Sequence, residues 1–266
     1  VRLFDTHCHL QAAVLTALGA ELFDRAQQAG VEGFVVCATE PGDWDAVAGL
    51  ADTRRQVLPA FGVHPWYLPE GTPNTWLPSL ERLLKQYPGA WVGEIGLDRT
   101  AGPPLARQEE AFEPQLALAG RLNRPASLHC RRTWDRLAWY LARRRHPEVP
   151  VVLHSFGGSV EVARQFLDFN AWFSFSGAVT RTRNARLPEV LKYLPRDRVL
   201  IETDSPDLLP QELWRADPHR PNEPAHLVEI LARLAVIWQE SPEVTAAVLE
   251  TNSKRLTGLY FSPPDC

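Results

Sequence analysis

Val151-Val152-Leu153-His154 states the architecture in miniature: a short, continuously apolar run that stops on an imidazole. A run without polar alternation is what a parallel strand buried on both faces requires. The pattern recurs at Leu3–Asp5, Gly33–Ala38, Leu58–Val63, Trp91–Glu94, Ala126–Leu128, Trp172–Ser176 and Val199–Ile201. Helical periodicity fills the gaps. Leu80, Leu83, Leu84 and Tyr87 fall at i, i+3, i+4 and i+7, as do Leu227, Ile230, Leu231 and Leu234. Ser241-Pro242-Glu243 has the N-cap, first-position proline and early acid of a helix start. Eight strands alternating with helices in 266 residues predict an α/β fold, a (β/α)8 TIM barrel forming a single domain over residues 1–266. A doubly wound open sheet is the alternative, but no run is followed by a G-x-G-x-x-G turn.

Composition narrows the class. The chain is 45% hydrophobic and 23% charged, as in ordinary globular proteins, and no apolar run approaches the roughly 20 residues of a membrane-spanning helix. Strand-like sequence begins at Val1, and no signal peptide is expected. Cys8, Cys37, Cys130 and Cys266 form no C-x-x-C pair, and a reducing cytoplasm is the expected compartment. The net charge of −4 excludes a generally basic nucleic-acid binder, so any phosphate recognition must come from placed side chains.

Five histidines stand just past a predicted strand: His7 and His9 after the first, His64 after the third, His129 after the fifth and His154 after the sixth. Glu94 ends the fourth run and Asp204 follows the eighth. A barrel brings such residues together at the carboxyl ends of its strands, where active sites of this fold lie. His146, His219 and His226 fall in helices or loops and are expected at the surface. Neutral imidazoles with carboxylates suit borderline divalent metals: zinc, manganese, cobalt or nickel. His7 and His9, two apart on an extended segment, face one side and can grip one ion. With His129, His154 and Glu94 the set has capacity for two ions. A carboxylate between them would hold a water acidic enough to be hydroxide at neutral pH. An H-x-H pair alone is weak evidence; seven such residues at one end of six strands is not.

These residues sit in motifs that resemble the TatD-type metal-dependent hydrolases of the amidohydrolase superfamily. The motifs are Asp5-Thr6-His7-Cys8-His9, Gly62-Val63-His64-Pro65, Gly93-Glu94-Ile95-Gly96-Leu97-Asp98, Leu128-His129-Cys130-Arg131, His154-Ser155-Phe156-Gly157-Gly158 and Glu202-Thr203-Asp204-Ser205-Pro206. Gln108 to Gln115, Asn222-Glu223-Pro224 and Asn252 to Leu256 extend the likeness over nearly the whole chain. The resemblance implies a two-metal site: His7, His9, Glu94 and Asp204 on one ion, Glu94, His129 and His154 on the other. Asp204 would take the proton of the attacking water, with Glu94 and Asp204 as the catalytic acids. His64 would lie near the metals and contact substrate. Members of the family are typically magnesium- or manganese-dependent deoxyribonucleases, often exonucleolytic, and some resemble deacylases of wrongly charged tRNA. Departures fall on substrate-facing loops: Ser155-Phe156-Gly157 for the usual Cys-Phe-Ser, Arg99 for an aromatic, and Asp207 where tyrosine is common.

None of Lys85, Lys192 and Lys254 lies at a strand end, so a carbamylated lysine is not the bridge and Glu94 is. Arg131 and Arg132 follow the fifth strand and Arg181, Arg183 and Arg186 the seventh, where guanidinium groups could grip phosphate. Arg143-Arg144-Arg145 reads instead as a solvated helix end. Trp66 could stack a base; Trp91 and Trp172 read as barrel packing, and Cys8 and Cys130 as small side chains turned away from the metals. The expected function is phosphodiester hydrolysis on DNA or another phosphate-bearing substrate, with His64, Asp98 and Arg131 positioning it. Deacylation of aminoacyl-tRNA or of a small cyclic substrate is the alternative chemistry, and a catalytically silent scaffold the alternative class.

Overall fold

The computed structural model describes residues 1–258; Cys266 lies outside them. Eight strands stand side by side in chain order, each parallel to the next: β1 (Leu3–Cys8), β2 (Val31–Cys37), β3 (Val57–Phe61), β4 (Trp91–Asp98), β5 (Ala126–Arg131), β6 (Val151–Leu153), β7 (Ala171–Phe175) and β8 (Val199–Ile201). Helices follow each strand, among them Leu77–Gln86, Leu105–Leu122 and Leu227–Trp238, and the last, Pro242–Thr257, is capped by the Ser241 side chain accepting from Val244 N–H. Among the described residues no helix is long and apolar enough to cross a membrane.

The ladder runs from β1 to β8, and the remaining seam is closed by scattered bonds. Asp5, fully buried, accepts from the backbone N–H of Thr203 at 2.9 Å and from its hydroxyl. Thr6 Oγ1 donates to the Ile201 carbonyl at 2.9 Å, and Asp204 N–H donates to the His7 carbonyl at 2.9 Å. Burial without a partner would be costly for the Asp5 carboxylate, so Thr203 and Asp5 hold each other in place.

Alternation sorts side chains into two cores. Phe4, Val35, Leu58, Trp91, Val152, Trp172 and Leu200 pack inside the barrel, while Val36, Phe61, Leu128, Leu153, Phe173 and Ile201 pack outward against the helices. Above the inner apolar layer lie fully buried polar residues: Ser174, two past Trp172 on β7, Glu202, two past Leu200 and just beyond β8, and Ser127 on β5.

Two strands break the alternation, and they are the ones that carry the first imidazoles and the central carboxylate. On β1, Phe4 packs inside and Cys8 outside, although four residues apart they would share a face of a regular strand. A register shift between Asp5 and Cys8 accounts for the switch and turns His7 inward. On β4, Trp91 packs inside and Ile95 outside, with a register shift between Val92 and Ile95, and Glu94 points into the barrel.

Three strands run further than their apolar runs. β1 continues to Cys8, β4 to Asp98 and β5 to Arg131, so His7, Glu94 and His129 lie within strands rather than at or past their ends, and Arg131 ends β5. Hydropathy stops at the first polar residue; the ladder continues because those polar side chains face partners across the barrel mouth. His226 corrects the expectation of a surface histidine: it is 8% exposed and its ring bonds to Asn222 and the Glu223 backbone. Arg144 is likewise half-buried, donating to the Pro147 and Phe169 carbonyls, and ties a loop rather than only solvating a helix end.

Candidate metal centre

Glu94 occupies the middle of the mouth, 2% exposed, with its two oxygens turned to different imidazoles. Oε2 lies 3.2 Å from His7 Nε2 and 3.5 Å from His9 Nε2. Oε1 lies 3.0 Å from His129 Nδ1, 2.9 Å from His154 Nε2 and 3.2 Å from His64 Nε2. Asp204 Oδ1 completes the first group, 3.4 Å from His9 Nε2 and 3.7 Å from His7 Nε2. Residues from β1, β4 and β5 and from the segments just past β1, β3, β6 and β8 thus converge on one carboxylate. The structure brings together His7, His9, His64, Glu94, His129, His154 and Asp204.

The partner behind each ring decides which nitrogen faces the centre with a lone pair. His9 Nδ1 donates to the Cys37 carbonyl at 2.8 Å, and His7 Nδ1 meets the Ser127 hydroxyl at 2.9 Å. His129 Nε2 faces Asp98 Oδ2 at 3.1 Å, and His154 Nδ1 faces Glu202 Oε1 at 3.5 Å. An acceptor behind a ring fixes the proton there and leaves the other nitrogen free to ligate. His64 is reversed: its Nδ1 accepts from Trp66 N–H at 3.1 Å, so its Nε2 carries the proton and aims a donor at Glu94. The acceptors behind His9 and His129 leave lone pairs turned to the centre, His7 and His154 turn Nε2 the same way, and His64 turns a hydrogen.

Those lone pairs crowd. His7 Nε2 and His9 Nε2 are 3.3 Å apart, and His129 Nδ1 and His154 Nε2 are 3.2 Å apart. Facing acceptors at such distances need a cation or a proton between them. Burial opposes charge on His9, but the Asp204 hydrogen bond and the Glu94 charge outweigh it and lift its pKa to about 9. His154 and His129 are also raised against burial, the first chiefly by Glu94 and the second by Asp98 and Glu94 together. Burial works against ionised Glu94 and Asp204 too, yet the surrounding imidazoles hold both below the usual carboxylate range. Burial lowers His64, in spite of Glu94, and keeps it neutral. The protein holds positive charge where a divalent ion would supply it. The donor set, imidazole nitrogen with carboxylate oxygen, fits such an ion.

Three triples of these donors lie close enough for one cation: His7, His9 and Asp204; His64, Glu94 and His129; and His7, His154 and Glu202. The second differs from the sequence-based set by containing His64 in place of His154. The Trp66 N–H behind His64 argues against its serving as a ligand, whatever its proximity.

Asp98 is 1% exposed, and its oxygens are engaged by His129, Trp66 Nε1 at 2.8 Å, and the backbone and hydroxyl of Thr100. It stands behind a ligand rather than open to the mouth. Trp66 keeps 38% exposure. Arg131 ends β5, solvent-exposed at the rim. Two contributors were assigned no role from sequence: Ser127 behind His7, and Glu202 behind His154. Ser127 carries no signal in the sequence. Glu202 carries one, a carboxylate two residues past the inward Leu200 on a strand buried on both faces, where only a paired acid is tolerated.

Comparison with known proteins places this geometry. The family model described as TatD related DNase matches residues 4–258. The chain is 35% identical over 251 residues to the uncharacterized metal-dependent hydrolase YjjV of Escherichia coli, covering 93% of this chain and 95% of that one. It is 32% identical over 262 residues to the 3'-5' ssDNA/RNA exonuclease TatD of Citrobacter koseri, covering 97% and 100%. The crystal structure of YjjV superposes with a TM-score of 0.90 at 32% identity, covering 97% of this chain and 98% of that one. These names favour phosphodiester cleavage over the deacylase alternative.

Proposed function

The chain belongs to the family of TatD-related DNases, and from that membership and the placement of Glu94 we propose a divalent-metal-dependent nuclease that trims single-stranded DNA or RNA from the 3' end. The observation that carries it is the single buried carboxylate whose two oxygens face two separate groups of imidazoles. The polarity and the single-stranded substrate rest on the named relatives. One domain carries the activity.

In this reading His7, His9, Asp204 and Glu94 hold one ion, and His129, His154 and Glu94 the other. Nitrogen-rich coordination favours zinc, manganese, cobalt or nickel over magnesium, which prefers all-oxygen surroundings. Bound ions would neutralise phosphate charge and bring the pKa of water towards neutrality. Asp204, kept ionised by His9, His154 and His7, accepts the proton of the attacking water. His64 donates its Nε2 hydrogen to a phosphate oxygen, where negative charge develops. Arg131 grips a flanking phosphate, and the exposed face of Trp66 stacks a terminal base while Asp98 anchors its indole N–H.

The test uses a 3'-labelled single-stranded oligonucleotide with manganese. Glu94→Ala and Asp204→Ala should each abolish label release while the barrel stays folded. Undiminished release in both variants sinks the assignment.

A further inference from the structure

The two groups of imidazoles differ in what stands behind them. His7 and His9 are backed by neutral groups, the Ser127 hydroxyl and the Cys37 carbonyl. His129 and His154 are backed by carboxylates, Asp98 and Glu202. The first group has an acid of its own, Asp204, beside the rings; the second has none apart from shared Glu94.

We propose that Asp98 and Glu202 are positioning residues that supply, through the rings of His129 and His154, the negative charge the second ion lacks among its direct ligands. The inference rests on the two-ion reading above. Glu202 is fully buried, one oxygen accepting from Ser155 N–H and facing His154 Nδ1. Its other oxygen has no hydrogen-bond partner among the described residues, and His154 Nδ1 meets the first oxygen as an ion-pair contact at 3.5 Å with no hydrogen bond to anything else. The two nitrogens of an imidazole point apart. Since Nε2 of His154 is turned to Glu94, Glu202 sits on the far side of the ring from the centre. A carboxylate there ties the Ser155 backbone and lies behind the ring, buried below the mouth. It can hold the Nδ1 proton, fix the ring and make Nε2 a stronger donor. Asp98 does the same for His129, with Trp66 and Thr100 fixing it in turn.

The experiment is a calorimetric manganese titration of the full chain after chelator treatment, comparing wild type with Glu202→Gln, Asp98→Asn and Ser127→Ala. Glu202→Gln and Asp98→Asn should each weaken one of two ions about 10–100-fold and leave the other within about threefold. Ser127→Ala should disturb only the other ion, and less. Imidazole nitrogen NMR on the metal-free protein supplies a second readout: the His154 Nδ1–H signal should move in Glu202→Gln, even if that variant is too unstable to titrate. A wild type that binds fewer than two ions overturns the two-ion reading and this division with it. Two ions in wild type with both unchanged, or both weakened alike, in Glu202→Gln and Asp98→Asn overturns the positioning role alone. So does an unmoved His154 signal.

Discussion

The backbone N–H of Trp66 points at Nδ1 of His64 from 3.1 Å, and that one bond sets His64 apart from the four imidazoles around it. With a donor behind it, the ring presents a proton and not a lone pair. His64→Ala should therefore retain full metal content by elemental analysis and lose on the order of 10²-fold in kcat, the scale of one charge-stabilising donor. His129→Ala should lose metal. Metal loss from His64→Ala equal to that from His129→Ala would make His64 a ligand.

Asp5 closes the seam between β1 and β8 through Thr203. Asp5→Ala strands the buried Thr203 N–H and leaves its hydroxyl only Ser205 as a partner, and unfolding by urea should show a loss of roughly 1–3 kcal/mol. A loss below about 1 kcal/mol would mean that the seam is held elsewhere.

Gly96 has φ of 153°, and a Cβ there would lie 2.0 Å from the His129 carbonyl oxygen. β4 and β5 can approach at this register only without a side chain. Gly96→Ala should cost roughly 3–5 kcal/mol through strain and overpacking and should displace His129 as well. Thermal melting and metal content check both; a variant that melts like wild type refutes the claim.

Burial holds His226 down to about 4 from an ordinary 6.5, against the pull of Glu223 and with help from Arg220 and Arg25. As pH falls from about 6.5 towards 4 the unfolded chain takes up a proton that the folded one refuses. Stability contributed by the neutral ring is present above 6.5, is lost across that window and is gone below about 4. His226→Gln removes the term. The melting-temperature advantage of wild type over this variant should shrink between pH 7 and pH 4.5, and a constant gap would show that the ring titrates alike in both states.

Saturation with manganese at about a hundredfold over its dissociation constant should add about 2.7 kcal/mol per ion, hence a melting temperature several degrees above that of chelator-treated protein. Identical melting curves would mean that the folded chain holds no ion at this concentration.

Much of this was legible in the chain. Eight apolar runs separated by helical periodicity announce the barrel, because parallel strands covered on both faces must be apolar throughout. The strand-end histidines and acids announce the centre, because polar residues appear in such strands only where they converge on something. Strand lengths were legible less well: the run Trp91–Glu94 stops at the first acid, whereas β4 continues to Asp98.

Other features exist only after folding. A strictly alternating β4 that put Trp91 inside would have turned Glu94 outward; a register shift against β5, a property of the pair of strands, turns it in. The same holds for His7 on β1. Which nitrogen of each imidazole faces the centre is decided by partners 28 to 120 positions away in sequence for His9 and His7, and by Glu202 and Asp98 for the others. Residue types and their order follow from local pattern. Facing, tautomer and charge depend on contacts between segments that meet only when the barrel closes.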